Sequence, residues 1–384
     1  MTAGRKLGVV TPSYSRFIPS NPVLVAKGLT ELGHEVELIT TRGLDARVAP
    51  YQGVRMNNGT LPVTARYAPY FGSLLETVIT AGPPDDLPAR YDALLLQEDY
   101  PVLCHQMARW ARKRNIPWML SSERYYYPPA FAPRAALRVF DRTVNRAIWF
   151  DSRVITTHST ASRKFLTDEG APADRFEFVP ASIDALTFRK LASEATATPR
   201  PDGPATIICV ARLHPYKGLE TLLRAMVRLR DQRVPVRLRI HGRGPLETEL
   251  RSQIRRLGLE GTSEIGWSPV PNLSIPALLL GAQIYVQPSL LEPFGISVVE
   301  AMSCGLPVVA SATGGMLDTV VPGRTGLLVP PGDVDALATA IRTLVEDPER
   351  ARAMGDHGRE RAVELFDYRS VARTYETLID RMLE

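Results

Sequence analysis

Short runs of consecutive apolar residues alternate along this chain with longer stretches in which apolar positions recur every three or four residues. The first kind reads as a strand buried on both faces, the second as an amphipathic helix. Strands are expected at 7–12, 35–40, 92–97, 117–121, 154–157 and 176–180, with helices at 23–32, near 105–114, at 134–150 and from Ala161. Gly33 stops the first helix. After residues 191–204, rich in Ala, Thr and Pro, the rhythm restarts. Strands then fall at 206–211, 236–241, 284–287, 307–311 and 326–329. Helices fall near 219–230, 246–257, 275–281, 295–304 and 335–345, and a terminal helical region from Pro348 is interrupted near Phe366-Asp367. Strand alternating with helix predicts parallel sheets covered on both faces. The composition shift reads as an interdomain linker. The expected organisation is an N-terminal domain over 1–190, a linker at 191–204, a second domain over 205–365 and a last helix over 366–384. In paired α/β domains the natural ligand site is the cleft where carboxyl ends of parallel strands meet.

The chain has 384 residues, enough for two cores. Its three cysteines are widely spaced, which excludes a disulfide framework or a zinc-ribbon pattern and points to a reducing compartment. The N-terminal stretch lacks the apolar run of a signal peptide, and nothing approaches the run of about 18 residues that spans a membrane. The expectation is a cytoplasmic protein, with peripheral contact at the inner face of a membrane left open. Net charge is +5 and unevenly placed, for residues 109–164 hold only three acids, Glu123, Asp141 and Asp151. That asymmetry fits either an anionic partner or a solvated helix face. Arg134, Arg138, Arg142 and Arg146 recur every fourth residue, forming one basic stripe on the expected helix, with Leu137, Phe140, Val144, Ile148 and Trp149 as apolar surface. Tyr125-Tyr126-Tyr127-Pro128-Pro129 precede it and frame a candidate ligand entrance. Nucleic acid is not an expected partner.

The richest segment is Glu292-Pro293-Phe294-Gly295-Ile296-Ser297-Val298-Val299-Glu300. Two glutamates with seven residues between them stand between a short strand and a helix stop. A strand feeds a tight turn, and the turn feeds a helix N-terminus whose free N–H groups suit an anionic ligand, above all phosphate. This places Glu292 at the lip of a site and Glu300 about two turns further on. The plain alternative is that both glutamates complement the helix dipole or face solvent. Arg212 and Lys217 are two cations on one loop at the end of the 206–211 strand. A guanidinium forks onto phosphate oxygens and an ammonium adds a point charge, so the pair suits a diphosphate leaving group. Two exposed surface cations are the plain alternative. His241-Gly242-Arg243-Gly244-Pro245 ends another strand, and its glycines permit close backbone approach to a ligand or simply make a turn. Thr313-Gly314-Gly315 adds a small-residue loop on the same edge. Asp333-Val334-Asp335 is explained by N-capping. The six histidines show no ligand spacing, and no P-loop, Gly-x-Ser-x-Gly or complete dinucleotide fingerprint occurs.

Taken together, these segments resemble the family-4 retaining glycosyltransferases (glycosyltransferase group 1). The match runs through Val210-Ala211-Arg212-Leu213, Lys217-Gly218, the 241–245 turn, Pro288-Ser289, the 292–300 motif, Gly305-Leu306-Pro307-Val308-Val309 and 323–329. It is looser in the N-terminal half, at 29–40 and 151–157. The resemblance implies the GT-B fold: two Rossmann-like parallel-sheet domains facing a central cleft, with a C-terminal helix returning to the N-terminal domain. It implies that Arg212 and Lys217 hold the donor diphosphate. Glu292 contacts the transferred sugar, and the Phe294 to Ser297 N–H groups meet its hydroxyls and phosphate. Gly242 and Gly244 belong to the same donor site, and Glu300 accepts from the nucleotide ribose. The donor implied is a nucleoside-diphosphate sugar, with no metal or other cofactor. The acceptor is a hydroxyl on a glycolipid, polysaccharide precursor or small metabolite.

Two departures touch the acceptor side. Family members carry a histidine after the fourth strand of the first domain. Here that strand runs into Glu123-Arg124, so Glu123 takes the place, with Arg124 balancing its charge. The usual Gly-Gly loop after the first strand is replaced by Thr11-Pro12-Ser13-Tyr14-Ser15-Arg16 and Pro19-Ser20-Asn21. Two other readings remain open: a sugar-nucleotide epimerase of GT-B fold, and a nucleotide-sugar-binding protein without catalysis.

Overall fold

The computed structural model describes residues 4–11, 20–41, 64–68, 70–74, 77–80, 83–84, 87–88, 90–99, 101–126, 131–195, 203–266 and 274–384. The chain forms two units, Met1–Ser182 with Tyr368–Glu384, and Ile183–Asp367. In the first, strands β1 (Lys6–Val10), β2 (Glu35–Thr41), β3 (Thr64–Ala68), β6 (Ala93–Gln97), β7 (Trp118–Ser122), β8 (Val154–Thr157) and β9 (Phe176–Phe178) make one parallel sheet. Between β3 and β6, β4 (Tyr70–Leu74) and β5 (Thr77–Thr80) form an antiparallel hairpin. The sheet order is β3-β2-β1-β6-β7-β8-β9, so its direction of growth reverses between β1 and β6. Every residue of β6, β7 and β8 is buried, because helices cover both faces.

The last helix, Tyr368–Leu383, belongs to this first unit. Its Val371, Ala372, Tyr375, Leu378 and Ile379 share a core with Val25, Ala26 and Leu29 of the helix Asn21–Glu31. Gly28 permits the approach, for a Cβ there would meet the Ala372 Cβ at 2.5 Å.

The second unit is a parallel sheet of β10 (Ala205–Val210), β11 (Val236–His241), β12 (Ser263–Gly266), β13 (Ile284–Gln287), β14 (Val308–Ser311) and β15 (Gly326–Val329). The order is β12-β11-β10-β13-β14-β15, with the reversal between β10 and β13. Ligands of such sheets bind at the carboxyl ends of strands beside the reversal.

Several expectations need correction. The division falls between Ser182 and Ile183, ahead of the expected linker. Residues 191–195 continue the helix Ala185–Ala195, which belongs to the second unit, and 196–202 lie outside the described residues. Two carboxylates cap that helix: Asp367 Oδ2 accepts from Leu186 N at 3.0 Å and Asp184 Oδ1 from Thr187 N at 3.3 Å. The expected single helix over 134–150 is three pieces: Phe131–Phe140, a π-helical turn Asp141–Asn145, and Arg146–Asp151. The wider turn shifts helical phase locally, and Arg134, Arg138, Arg142 and Arg146 are all exposed. Asp333 does cap the helix Val334–Glu346, accepting from Ala336 N at 2.9 Å.

Candidate active site

The second unit brings the strongest cluster together at its sheet reversal. Two loops meet there, one after β10 and one after β13. Gly218 has φ 64°, and a Cβ on it would lie 2.0 Å from the Pro288 carbonyl oxygen. Leu290 N donates to Tyr216 O at 2.8 Å, tying the loops by backbone. This contact delivers Lys217 to Glu292. The ammonium Nζ lies 2.7 Å from Glu292 Oε2, with the two side chains only 12% and 7% exposed. The same Oε2 accepts from Ser289 Oγ at 2.9 Å and Gln287 Nε2 at 3.1 Å. Glu292 is therefore nearly buried, and one of its oxygens is held by three donors. Arg212 is exposed, its guanidinium 5.6 Å from the centre of the Tyr216 ring. Lys217 Nζ lies 5.3 Å from that same ring, so one aromatic face region collects both cations.

The turn into the helix Ile296–Ser303 uses Gly295 at φ 95°, and a Cβ would lie 1.9 Å from Met316 Cε. The positive φ favours glycine, while the Met316 methyl could shift to admit a Cβ. The Gly295 carbonyl accepts from Val298 and Val299 N, while the N–H groups of Ile296 and Ser297 belong to the first turn, which has no internal acceptors for them. Phe294 is buried, its ring edge-on to Phe366 with centroids 5.6 Å apart. It anchors the turn through its side chain. Glu300 is 6% exposed, which removes the reading of a solvent-facing helix residue. Its charge, after burial itself, helps push the Cys304 thiol up to about 12.

Gly242 and Gly244 have a definite packing duty. A Cβ on Gly242 would lie 1.8 Å from the Ala211 carbonyl oxygen, and one on Gly244 2.3 Å from that of Leu213. Leu213 N donates to Arg243 O at 2.7 Å. These glycines let the β10 and β11 loops pack backbone to backbone. The Thr313–Gly315 loop also joins the cluster: Gly315 N donates to the Glu292 carbonyl at 3.0 Å and Thr313 Oγ1 to that of Leu290 at 3.2 Å.

In the first unit Glu123 follows β7, but its expected partner does not balance it. Arg124 turns inward and bridges two fully buried carboxylates, Asp99 (Nη1–Oδ2 2.8 Å) and Asp141 (Nη2–Oδ2 2.6 Å). Trp149 Nε1 donates to Asp99 Oδ2 at 3.0 Å and Asn145 Nδ2 to Asp141 Oδ1 at 2.6 Å. The π-helical turn is what carries Asp141 and Asn145 to this place. Two buried carboxylates demand the guanidinium more strongly than a half-exposed one. Glu123 faces His158 instead, with Oε1 3.7 Å from Nε2. His158 Nδ1 lies 2.7 Å from the Val179 carbonyl oxygen, which only accepts, so Nδ1 carries a proton. Asn21 Oδ1 accepts from Ser182 N and Oγ at 2.8 Å each, which turns its Nδ2 toward His158 Nε2 at 3.2 Å. His158 Nε2 is thus approached by Asn21 Nδ2, by Ser121 Oγ at 3.4 Å and by the Glu123 carboxylate. Glu98, at φ 77° after β6, has its carboxyl held well above the usual range by burial, then by Glu123 and Asp99.

Gln287, His158 and Glu98 were not singled out in the sequence, and Ser289 appeared there only within the matched Pro288-Ser289. Gln287 had a signal, as the one polar residue in Ile284-Tyr285-Val286-Gln287. Asp99 and Asp141 had none. Thr11, Ser20 and Asn21 of the replaced glycine loop are described, while residues 12–19 and 127–130 lie outside the described residues.

Residues 23–182 match the glycosyl transferase 4-like domain, and residues 193–361 match the glycosyl transferases group 1 domain. The chain belongs to the group 1 glycosyltransferases. It is 33% identical over 260 residues to a GDP-mannose-dependent alpha-(1-6)-phosphatidylinositol monomannoside mannosyltransferase of Mycolicibacterium smegmatis, covering 62% of this chain and 65% of that protein. It is 28% identical to D-inositol 3-phosphate glycosyltransferase 2 of Catenulispora acidiphila, over 94% of this chain and 89% of the relative. The chain thus spans just under two thirds of the first of these relatives and most of the second. Among solved structures, Anabaena HepE in complex with UDP aligns over 98% of this chain and all of that one, with TM-score 0.72 and 20% identity. The fold of the family member is GT-B.

Proposed function

We propose that this chain is a retaining glycosyltransferase that moves a sugar from a nucleoside-diphosphate sugar to an acceptor hydroxyl without a metal ion. The observation that carries this reading is the buried Lys217–Glu292 pair beside the first turn of the helix Ile296–Ser303. A cation, two N–H groups and an exposed guanidinium at one sheet reversal suit a diphosphate. In this reading Lys217 and Arg212 meet the charge that grows on the leaving diphosphate, the role a metal fills elsewhere. Glu292 receives a hydroxyl of the transferred sugar, and the Phe294 to Ser297 backbone meets its other hydroxyls and the phosphate. Glu300 accepts from the ribose. The glycosidic C–O bond to the phosphate breaks, the acceptor oxygen bonds to the same carbon on the same face, and the acceptor proton passes to the departing diphosphate.

Glu123 is the acceptor-side carboxylate in this proposal, set on its loop by Arg124. Both relatives named above carry an inositol phosphate unit in their names, so a phosphate-bearing polyol is the acceptor class to test first, with GDP-mannose among the first donors. Among the described residues no helix is long and apolar enough to cross a membrane. The exposed Arg134, Arg138, Arg142 and Arg146 stand among exposed Val139, Val144 and Phe150, which supports peripheral contact with an anionic surface at up to about 1 kcal/mol per cation. The deciding experiment incubates pure protein with a panel of nucleoside-diphosphate sugars and acceptors. Acceptor-dependent release of nucleoside diphosphate, with the donor's anomeric configuration kept in the product, is expected. Consumption of donor without an acceptor and without hydrolysis would favour an epimerase.

A further inference from the structure

Gln287 is the last residue of β13 and is fully buried. A glutamine at such a site must satisfy two donors and an acceptor from protein groups. Its partners are all in place. Nε2 donates to Ser289 Oγ at 2.8 Å and to Glu292 Oε2 at 3.1 Å. Oε1 accepts from Tyr285 OH at 2.8 Å, with Ser297 Oγ at 3.4 Å. Tyr285 and Gln287 are two residues apart on one strand and so share a face. The amide cannot be turned round, because a carboxylate only accepts and the NH2 must face Glu292. The Tyr285 hydroxyl, also 3.1 Å from the Val210 carbonyl oxygen, then meets the amide oxygen.

We infer that Gln287 is a positioning residue that fixes Glu292 for the transferred sugar. The inference rests on the donor-site reading above. Gln287, Ser289 and Lys217 all converge on Oε2. Three donors saturate that oxygen and set the plane of the carboxylate. Oε1 is left as the acceptor for a sugar hydroxyl. Gln287 also links Glu292 to Ser297 in the first turn of the following helix. A neutral donor suits this position. A second negative charge would repel Glu292, and an apolar group would let its carboxylate rotate about Lys217.

The test compares wild type with Q287L, Q287E, E292Q and K217A in the same transfer assay, run from pH 5 to 9. For Q287L we expect kcat down about 10–100-fold with the acceptor KM unchanged, the scale of losing an orienting partner. For Q287E the introduced carboxyl imitates the amide only while protonated. Burial and the Glu292 charge raise its ionisation into the assay range. Its activity should therefore be highest at low pH and fall as pH rises, with a one-proton slope that wild type and Q287L lack. That slope separates positioning from a packing role, which would lower activity evenly at all pH values. It also stands if Q287L fails to fold. Wild-type kcat in Q287L, or a wild-type pH profile in Q287E, overturns the inference. If E292Q and K217A also keep wild-type turnover, the donor-site reading itself fails. If they are inactive while both Gln287 variants behave as wild type, only the positioning role is wrong.

Discussion

The loops after β13 and after β7 both carry a glutamate near a cation, yet the two pairs are built in opposite ways. In the second unit Lys217 and Glu292, 75 residues apart, meet at 2.7 Å. In the first unit Glu123 and Arg124 are sequence neighbours, and the arginine turns into the protein to bridge Asp99 and Asp141. Separation in the chain decides little. What decides is which carboxylate is most deeply desolvated, because that one gains most from a guanidinium. One ion pair therefore stands in the proposed donor site, and the other is a staple beneath a loop that leaves its own glutamate unpaired by its neighbour.

The contrast predicts different phenotypes. Arg124→Met should lower stability by about 3–5 kcal/mol, since it leaves two buried carboxylates without their cation. Chemical denaturation measures it, and a loss under 1 kcal/mol would show that the staple is unimportant. Lys217→Ala should cut kcat by about 10²–10³, the scale for removing one donor to developing charge, and should also lower stability, by less than Arg124→Met because one buried carboxylate rather than two loses its cation. Steady-state kinetics beside a thermal melt distinguishes the two outcomes. Near-wild-type turnover would remove Lys217 from the chemistry.

Smaller effects sharpen the comparison. Glu300→Gln replaces a charged acceptor by a neutral one, and nucleoside diphosphate binding should weaken by about tenfold, or roughly 1.4 kcal/mol. The ribo-over-2′-deoxy preference should shrink with it in calorimetry, and an unchanged preference would contradict the ribose role. Glu98→Gln tests the crowded carboxyls of the first unit. The folded protein holds the Glu98 proton more tightly than the unfolded chain does, through burial and then through Glu123 and Asp99. Its stabilising share is present below the unfolded value near pH 4.3 and is lost as pH rises through the folded value. The Gln variant, always neutral, should match wild type in acid and exceed it in stability toward neutral pH. A pH-independent difference would refute this linkage. Smallest of all is the effect of EDTA on transfer, expected to be nil, with loss of activity restored by Mn²⁺ or Mg²⁺ as the contrary result.

Much of the framework was legible because its signals are local. Val154–Thr157, Ile284–Gln287 and Gly326–Val329 stand where the short apolar runs put them, and Val236–His241 where its regular alternation does. β12 was missed because Ser263-Glu264-Ile265-Gly266 is a short edge strand with only alternate residues buried. The π-helical turn left no trace, since 134–150 keeps a helical pattern on either side of it. The Glu292 motif was readable as a strand, a glycine turn and a helix start. Its depth was not, because burial of Glu292 depends on Gly218 bringing a distant loop against Pro288. The Arg124 pairing was misread for the same reason. Adjacency is visible in a sequence, whereas the competing carboxylates Asp99 and Asp141 come from other elements.

The most direct test of the donor site needs no knowledge of the acceptor. Isothermal titration calorimetry should compare UDP, GDP and ADP, with their monophosphates, on wild type and Lys217→Ala. The account predicts that at least one diphosphate binds wild type more tightly than its monophosphate does. The alanine variant should bind that diphosphate at least about tenfold more weakly, as loss of a charge-assisted contact requires. Equal affinity of wild type and variant for every diphosphate would contradict the assignment of Lys217 and Glu292 to the donor site.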